Sequence, residues 1–482
     1  MKPRSLLSPS RWHWPAAVLL ACLPASVIAQ TATPLDFNAA RERMRQQSDK
    51  LAAAEAGLES SRLQSRALSG LGGPSVRLSA GAGRYHLHTD LDITGLKDTA
   101  STGLDEYFGA LPLPVPLPPV SQWPLYQAIP NSIPIAREDN FHTQTISALW
   151  PLYTGGLTTA VKRFSGARAD EAAASAETAA HELDSLLVQR YFSAQLARRV
   201  ANLRRHVLQA VAEHDHAAQR MMEEGLIARV ERLQAQVKLE DVRREALKAE
   251  GDAELAEVAL QRLLKASAPV RASTPLFVNT VPVEPLEHFQ TQALARHPGL
   301  AMIAAKRAQA EQMHAASASR LKPVVGLYGA RQLHSGSEAN WVIGVQASWT
   351  LWSSVDRRGM LAASEQRLLQ ADYSDAEARN NIELLVEKNW RSLEDARQQY
   401  LATLPGVELA GEVLRLRKSG LREGTSTTLD LIDAEVNFSK LETERAKAAN
   451  DYAQALAALL ESAGTPEQFA AYMRRADVQL PL

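Results

Sequence analysis

The sequence predicts a mainly α-helical chain built from two structural repeats, each with a β-hairpin followed by a pair of long coiled-coil helices. Three observations support this fold class. The chain matches itself at a fixed offset, each copy contains two short segments of alternating apolar residues, and each copy contains a long, nearly proline-free helical pattern. The repeat comes first because it fixes how the other signals are grouped.

Composition excludes several classes of protein. The chain has 482 residues, with 53 Lys and Arg against 54 Asp and Glu. This near-neutral balance, without a basic stripe, argues against a nucleic-acid-binding protein. The single cysteine excludes a disulfide framework and a Cys-based zinc site. Length alone would suggest about three domains.

Residues 1–29 are predicted to be a secretory signal peptide. A positively charged start precedes an apolar stretch from Trp14 to Leu23, and small residues end at a cleavage site after Ala29. The one cysteine, Cys22, lies in a short sequence that resembles a bacterial lipobox, so lipidation of Cys22 is the alternative. No run of 18 apolar residues follows Ala29, so no transmembrane helix is predicted after the signal. We therefore expect an exported protein.

The internal repeat has two offsets. An offset of 199 aligns Trp150 with Trp349 and Gly225 with Gly424, and needs no gap over more than 100 residues. Upstream, residues 74–78 best match residues 323–327, at an offset of 249. The first copy therefore contains about 50 extra residues, which coincide with a proline-rich stretch.

Each copy begins with a helical lead-in and continues with two strands. In the second copy, apolar and polar residues alternate from Trp341 to Leu351, which is typical of a strand with one apolar face. The strands are expected at about 74–90 and 139–152 in the first copy, and at about 323–333 and 339–352 in the second. The first pair is joined by a loop at about 95–138, whose eight prolines between Leu111 and Pro134 favour extended, exposed structure.

Long helices follow each strand pair, at 157–265 and 356–464. Apolar residues recur at spacings of three and four, and about 70 residues of helix would be roughly 100 Å long, which indicates coiled-coil packing. A turn at Gly225, and one at Gly424 or Gly420, interrupts each pair because the turn needs a residue that tolerates positive φ. The expected organisation is repeat 1 at 30–265, a linker or equatorial segment at 266–286, repeat 2 at 287–464 and a C-terminal tail at 465–482.

Four strands cannot close a barrel. In a bilayer every backbone group must be paired, so the sheet edges must be removed by closure and the chain must oligomerise. An export signal, amphipathic strands and very long helices together indicate a pore whose helices continue a membrane barrel outside the membrane.

Two kinds of segment support a family resemblance. Residues 149–156 read LWPLYTGG, and two glycine-containing segments, 225–236 and 424–435, stand at the repeat offset. With these segments the chain resembles the TolC family of outer-membrane efflux and secretion channels over essentially the whole mature sequence. The match at the strand-to-helix junction comprises Trp150, Pro151, Gly155 and Gly156.

The resemblance implies a homotrimer in the outer membrane of a Gram-negative bacterium. Twelve strands would form the barrel, in contact with outer-membrane lipid, and the helices would form a tunnel in the periplasm. It also implies a periplasmic adaptor (membrane-fusion) protein and an inner-membrane pump of RND, ABC or MFS type. The family's adaptor-docking turns match Gly225 and Leu226 in the first repeat, and Gly424 and Thr425 in the second.

The resemblance further implies a ring of acidic residues at the periplasmic mouth, matching Asp430 and Asp433, with Glu231 at the equivalent of Asp430. Asp430 and Asp433 stand three apart on one helix and so share a face. Threefold repetition would gather six carboxylates, which favour cations and raise some of each other's pKa values. The alternative is that both are ordinary solvated acids near a helix N-terminus.

Other patterns give weaker indications. His86 and His88 are spaced two apart, as are His214 and His216, but side chains two apart on a helix face different directions, so no metal site is expected. No catalytic motif is present, and neither an enzyme nor a cofactor is predicted. Trp341 and Trp349 fit either an aromatic belt or a core. The predicted function is the duct of a tripartite efflux pump or type I secretion system, with a periplasmic coiled-coil scaffold or adaptor as the alternative.

Overall fold

The computed structural model describes residues 33–109, 118–333 and 340–481. The predicted signal peptide, Cys22 and the proline-rich residues 110–117 lie outside the described residues. Contacts divide the chain into two compact units. We call the described residues of 50–180 and 290–385 the strand unit, and 33–49, 181–289 and 386–481 the turn unit.

Helices make up most of the described chain. In chain order the strands are β1 (Thr33–Leu35), β2 (Ser75–Asp92), β3 (Ser132–Tyr153), β4 (Val270–Ala272), β5 (Leu276–Val278), β6 (Val324–Gln332), β7 (Trp341–Ser348) and β8 (Val478–Leu480). The helices are α1 (Phe37–Gln47), α2 (Asp49–Leu68), α3 (Thr94–Gly109), α4 (Pro124–Ala128), α5 (Leu157–Glu223), α6 (Arg229–Leu263), α7 (Leu286–Arg296), α8 (Pro298–Ser319), α9 (Arg357–Arg422), α10 (Thr428–Ser462) and α11 (Phe469–Arg474). Among these residues no helix is both long enough and apolar enough to cross a membrane.

The strand unit contains an antiparallel sheet of four described strands in the order β2-β3-β6-β7. In the first hairpin Ser75 lies opposite Leu149, and in the second Val324 lies opposite Ser348. These pairs are related by the offsets of 249 and 199, so the two hairpins have the same register. The prediction of two repeats, each with a hairpin and long helices, is confirmed.

The first hairpin is longer than the sequence pattern indicated. β3 begins at Ser132 rather than near residue 139, and it includes Pro134, which lies opposite Asp90. A proline has no N–H to donate and is tolerated where one side of a strand has no partner. β6 pairs with β3 only from Thr145 onward. Among the described residues, no strand therefore pairs with Pro134 on the edge of β3 that faces away from β2.

The connection predicted as a loop at about 95–138 begins with a helix. Helix α3 occupies Thr94–Gly109, a stretch that contains no proline. The Asp92 carboxylate accepts a hydrogen bond from the Thr94 backbone N–H at 2.8 Å, and the Lys97 Nζ donates to the Ile129 carbonyl at 2.8 Å. The prediction of extended structure concerned the prolines between Leu111 and Pro134, which begin only after this helix ends, and within that stretch the short helix α4 departs from it.

The junction between β3 and α5 depends on a glycine. Gly155 has φ +67°, and a Cβ added there would lie 2.7 Å from the Ser319 carbonyl oxygen. Gly156 also has a positive φ, +102°, but an added Cβ would meet nothing within 4 Å. Close approach to the end of α8 therefore requires glycine at 155, whereas conformation alone favours it at 156.

The turn unit is organised around a cluster of aromatic rings. The ring centroids of its contacting pairs lie 5.2 to 5.9 Å apart. The cluster consists of Phe37, Tyr191, Phe192, Phe277 and Phe469. The Tyr191 hydroxyl donates to the Leu35 carbonyl at 2.7 Å and accepts from the Thr274 backbone N–H at 2.9 Å. This cluster therefore joins the start of the described chain to α5 and to the segment between β4 and β5.

Candidate functional site

The two helix-to-helix turns have the same geometry. Gly225 has φ +76° and Gly424 has φ +75°. The residue after each glycine donates its backbone N–H to a carbonyl five residues earlier at 2.8 Å, from Leu226 to Met221 and from Thr425 to Gly420. This is the Schellman arrangement, which satisfies carbonyls left unpaired at a helix end and favours glycine at the positive φ.

The second turn contains another glycine with a different role. Gly420 lies inside α9, and a Cβ added there would lie 2.5 Å from the Ser426 hydroxyl oxygen and 2.9 Å from that of Thr425. The Thr425 hydroxyl also donates to the Gly420 carbonyl at 3.2 Å. Gly424 is therefore the turn glycine, and Gly420 makes room for the side chains that follow it.

Asp430 stabilises the start of α10. Its carboxylate accepts from the Thr427 backbone N–H at 3.0 Å, while the Thr427 hydroxyl accepts from the Asp430 N–H at 3.1 Å, which forms a reciprocal capping box. Hydrogen bonds from the Thr427 backbone and hydroxyl hold the pKa of Asp430 below its ordinary value. Within one chain the pKa of Asp430 is thus lowered, whereas a ring of like charges would raise it.

Asp433 has a different partner. Its Oδ1 lies 2.9 Å from the Lys238 Nζ, and its side chain is 55% exposed. This ion pair links α10 to α6. Asp430 and Asp433 thus share a helix but not a role, since the first caps the helix end and the second pairs with a neighbouring helix.

Glu231 occupies the equivalent position in the first repeat but has no capping box there. The residue equivalent to Thr427 is Ala228, which has no side-chain oxygen to accept a hydrogen bond. Glu231 lies exposed in the first turn of α6, where an acid favourably meets the helix dipole.

A buried ion pair near the first turn was not predicted. Arg232 and Asp215 form it, and both residues are at least 90% buried. The equivalent residues of the second repeat are Leu431 and Leu414, which belong to one apolar cluster. The Asp215 carboxylate thus pairs with an arginine, in a segment where the sequence suggested only weak metal-ligand candidates. A position-by-position comparison of the two repeats would have found it.

His214 lies between the two helical hairpins. Burial lowers the pKa of its imidazole, and the nearby Glu435 carboxylate acts in the opposite direction. Glu435 in turn lies 3.3 Å from the Lys418 Nζ. Helices α5, α9 and α10 therefore bring titratable side chains together where the first repeat meets the second.

Replacing Thr427 with Ala should destabilise the protein by about 1 kcal/mol, because α10 loses its N-terminal cap. The capping contribution of Asp430 is fully present above its unfolded pKa, near 3.8, and is lost as the pH falls through the lower folded value. The difference between wild type and T427A in thermal unfolding should therefore shrink only at strongly acidic pH. Thr427→Ser is the matched control, and a loss in T427S equal to that in T427A would contradict the capping role.

Comparisons with known proteins agree with this architecture. The family described as outer membrane efflux protein matches residues 135–265 and 290–465, more than half of the chain. The outer membrane efflux protein BepC of Brucella suis biovar 1 (strain 1330) is 26% identical over 290 residues, which span 58% of this chain and 62% of BepC. The match thus covers less than two thirds of that relative.

Solved structures show the same fold. The CmeC outer membrane channel of Campylobacter jejuni has a TM-score of 0.70 at 13% identity, covering 91% of this chain and 88% of that one. The MtrE outer membrane channel of Neisseria gonorrhoeae has a TM-score of 0.69 at 16% identity, covering 89% of each chain. The resemblance to the TolC family and the predicted outer-membrane location are confirmed. The chain belongs to the outer membrane efflux protein family, a family of transport channels that work with pump and adaptor partners.

Proposed function

We propose that the protein is the passive duct of a tripartite efflux pump or type I secretion system. Three subunits surround one channel that carries small molecules, drugs or ions from the periplasm or an inner-membrane pump to the exterior, without covalent chemistry. The observation that supports this most directly is the sheet order β2-β3-β6-β7, in which β2 and β7 each have one free edge in the part of the chain that the structure describes. A bilayer leaves no water to satisfy such edges, so the strands of several subunits must close on one another.

Exposed aromatic side chains support contact of the strand unit with lipid. Trp341 is 70% exposed and Trp349 is 60% exposed, so neither fills a core within the chain. The Trp349 indole N–H donates to the Leu321 carbonyl at 3.1 Å, which leaves the apolar ring at the surface. This combination of an apolar face and one satisfied polar atom suits the interface between lipid and water.

The purified protein should extract from membranes only with detergent, have the mass of a trimer by native mass spectrometry and conduct ions in a planar bilayer. A closed ring of strands gives these properties because it encloses an aqueous path and presents an apolar outer face. A water-soluble monomer without conductance would instead support the coiled-coil scaffold and overturn the duct.

The acidic residues near the turns are proposed to line the periplasmic mouth. Asp430, Asp433 and Glu231 lie within the first two turns of α10 and α6. The carboxylate of Asp433 is exposed, and its pairing with Lys238 across two helices allows it to change partner when those helices move. Rings of acidic side chains in pores favour cations.

Replacing Asp433 with Asn and Glu231 with Gln in one variant should lower cation preference, measured as a reversal-potential shift in a salt gradient. Asp430 is left intact because its loss would also remove a helix cap. The matched control is Asp375→Asn, which removes a half-buried acid paired within α9 to Arg379 at 2.9 Å. Equal ion preference in wild type and in the double variant would remove the ring from the proposal.

The turns are proposed to dock a periplasmic adaptor that connects to an inner-membrane pump of RND, ABC or MFS type. The turns contain Gly225 and Leu226 in the first repeat, and Gly424 and Thr425 in the second. The apolar side chain of Leu226 is 66% exposed. An exposed apolar residue at a rigid turn is a suitable anchor for a partner helix.

Leu226→Asp should abolish efflux in cells while leaving trimers and single-channel conductance unchanged, because it adds charge to the contact without altering the turn backbone. Val281→Asp is the control, since Val281 is equally exposed but lies outside the turns. Normal drug or metal tolerance in cells expressing L226D would argue against adaptor docking at this turn.

A further inference from the structure

We propose that the outer part of the first hairpin narrows the exit of the duct with an apolar band. The band consists of Leu87 and Leu91 on β2, and Ile133 and Ile135 on β3. In the assembled channel the bands of the three subunits face one another across the channel axis. The proposal rests on the trimeric duct of the proposed function and adds a constriction at the outer end of its barrel.

The first hairpin keeps one register along its whole length. β2 and β3 pair residue by residue, from Ser75 opposite Leu149 to Asp92 opposite Ser132, without a shift. Side chains two apart on a strand lie on the same face, and directly opposite residues share that face. The two faces of the hairpin can therefore be followed without interruption from one end to the other.

The inner part of the hairpin, where β6 also pairs with β3, alternates as a barrel wall does. One face carries Val76 and Leu78, with Ile146 opposite Leu78. The other face carries Arg77 and Ser79. In a membrane barrel the apolar face meets lipid and the polar face lines the channel. We call the face that carries Arg77 and Ser79 the channel face.

The faces exchange character where the hairpin extends beyond β6. Among the described residues β6 accompanies β3 only from Thr145 onward, so the outer part of the hairpin is a two-stranded ribbon. There the face continuous with Val76 carries Arg84 and Glu138, which form an ion pair, and further out Asp90. A face with this many charges lies in water rather than in lipid.

The apolar band lies on the channel face of this ribbon. Leu91 is directly opposite Ile133, and Ile135 is diagonally next to both Leu87 and Leu91. Large side chains in these positions reach one another, so the four residues form one continuous apolar surface. Arg137, opposite Leu87, ends the band on the side nearer the barrel.

The described chain does not cover the band. With all described residues in place, Leu87 is 55% exposed, Leu91 is 51% exposed, and Ile133 and Ile135 are each 44% exposed. Contiguous exposed apolar surface of this kind marks a site of contact.

The connection between the two strands is itself folded. The Tyr126 hydroxyl of α4 donates to the Asp98 carboxylate of α3 at 3.1 Å, and the Lys97 Nζ lies 4.5 Å from the centroid of the Tyr126 ring. The Val120 backbone N–H donates to the Asp105 carboxylate at 2.7 Å. These contacts fix the end of the hairpin, so the band is presented on an ordered element.

The face that bears the band determines what can cover it. Because it is the channel face, it points away from lipid. In a trimer with threefold symmetry the same face of each hairpin points toward the common axis, where it meets the bands of the two other copies. Burial of apolar surface favours inclination of the three hairpins toward one another. A second copy of this chain is therefore the partner that fits the band.

An apolar constriction distinguishes between cargoes. Hydrophobic constrictions in pores expel water and so oppose the passage of strongly hydrated solutes. The apolar part of a small molecule, in contrast, gains free energy by contact with the same side chains. We therefore expect the exit to pass apolar or amphipathic small molecules more readily than strongly hydrated ones.

Single cysteines on the two faces test which face meets at the axis. A short bismaleimide should link L91C, and likewise I135C, between subunits of the purified trimer, which gives dimers on denaturing gels. D90C and A136C are the matched controls, because each is the chain neighbour on the opposite face, and neither should link. Linkage through D90C and A136C in place of L91C and I135C would overturn the assignment of the faces. Wild type treated with the same reagent shows any contribution of Cys22.

Labelling from outside the cell tests the constriction itself. T145C places a thiol on the channel face inside the barrel, which a maleimide carried on a large polyethylene glycol reaches from outside only through the exit. Replacing Leu87 and Leu91 with Asn in the T145C background should speed this labelling severalfold, because a hydrated exit admits the polymer. H86N with H88N is the matched control on the opposite face and should leave the rate unchanged.

A thiol outside the constriction gives the reference rate. A136C, on the outer face of the ribbon, should be labelled equally fast with leucine or with asparagine at positions 87 and 91. A rate for T145C that does not depend on the two leucines, with A136C labelled normally, would overturn the constriction.

The outcomes separate this proposal from the function on which it rests. Absence of wild-type trimers by native mass spectrometry would overturn the duct and the constriction together. Trimers that conduct ions, but in which neither L91C nor I135C links and the labelling of T145C ignores the leucines, would overturn the constriction and leave the duct standing.

Discussion

A sheet that lies in a bilayer cannot keep unpaired edges, and this constraint determines the rest of the structure. Each unsatisfied backbone group in hydrocarbon costs several kcal/mol. Among the described residues β2 and β7 each leave one edge of the sheet unpaired, and the side chains of these two strands are largely exposed. The proposed duct therefore requires several copies of the chain, whose strands close on one another.

Duplication gives the two halves of the chain the same local geometry. The two hairpins keep the same register and the two turns keep the same hydrogen bonds. Elsewhere the two repeats differ in their buried side chains. A buried Asp215–Arg232 pair stands where the second repeat has two leucines. Such a pair adds little net stability over apolar packing, because the cost of desolvating the two charges offsets their attraction.

Much of this fold could be predicted from the sequence because its signals are periodic. The long helices contain few residues that break a helix, and the turns need glycine, so both were recognisable. Helix α3 and the early start of β3 were not, since neighbouring prolines dominate the local pattern. The roles of Asp430 and Asp433 depend on Thr427 and Lys238, which only the fold brings to them. Spacing placed the two acids on one face, but could not assign their partners.

In the turn unit, the contacts that hold α10 in place differ from the carboxylates proposed to set ion preference. The exposed Asp433–Lys238 pair contributes at most about 1 kcal/mol, so it cannot by itself hold α10 in place. Ile432 is fully buried with apolar residues of α5 and α6, and burial of such a side chain contributes about 1.5 to 3 kcal/mol. Apolar packing therefore contributes more than this ion pair to holding α10 against α5 and α6. In the proposed duct the exposed Asp433 carboxylate can therefore exchange Lys238 for a passing cation at little cost.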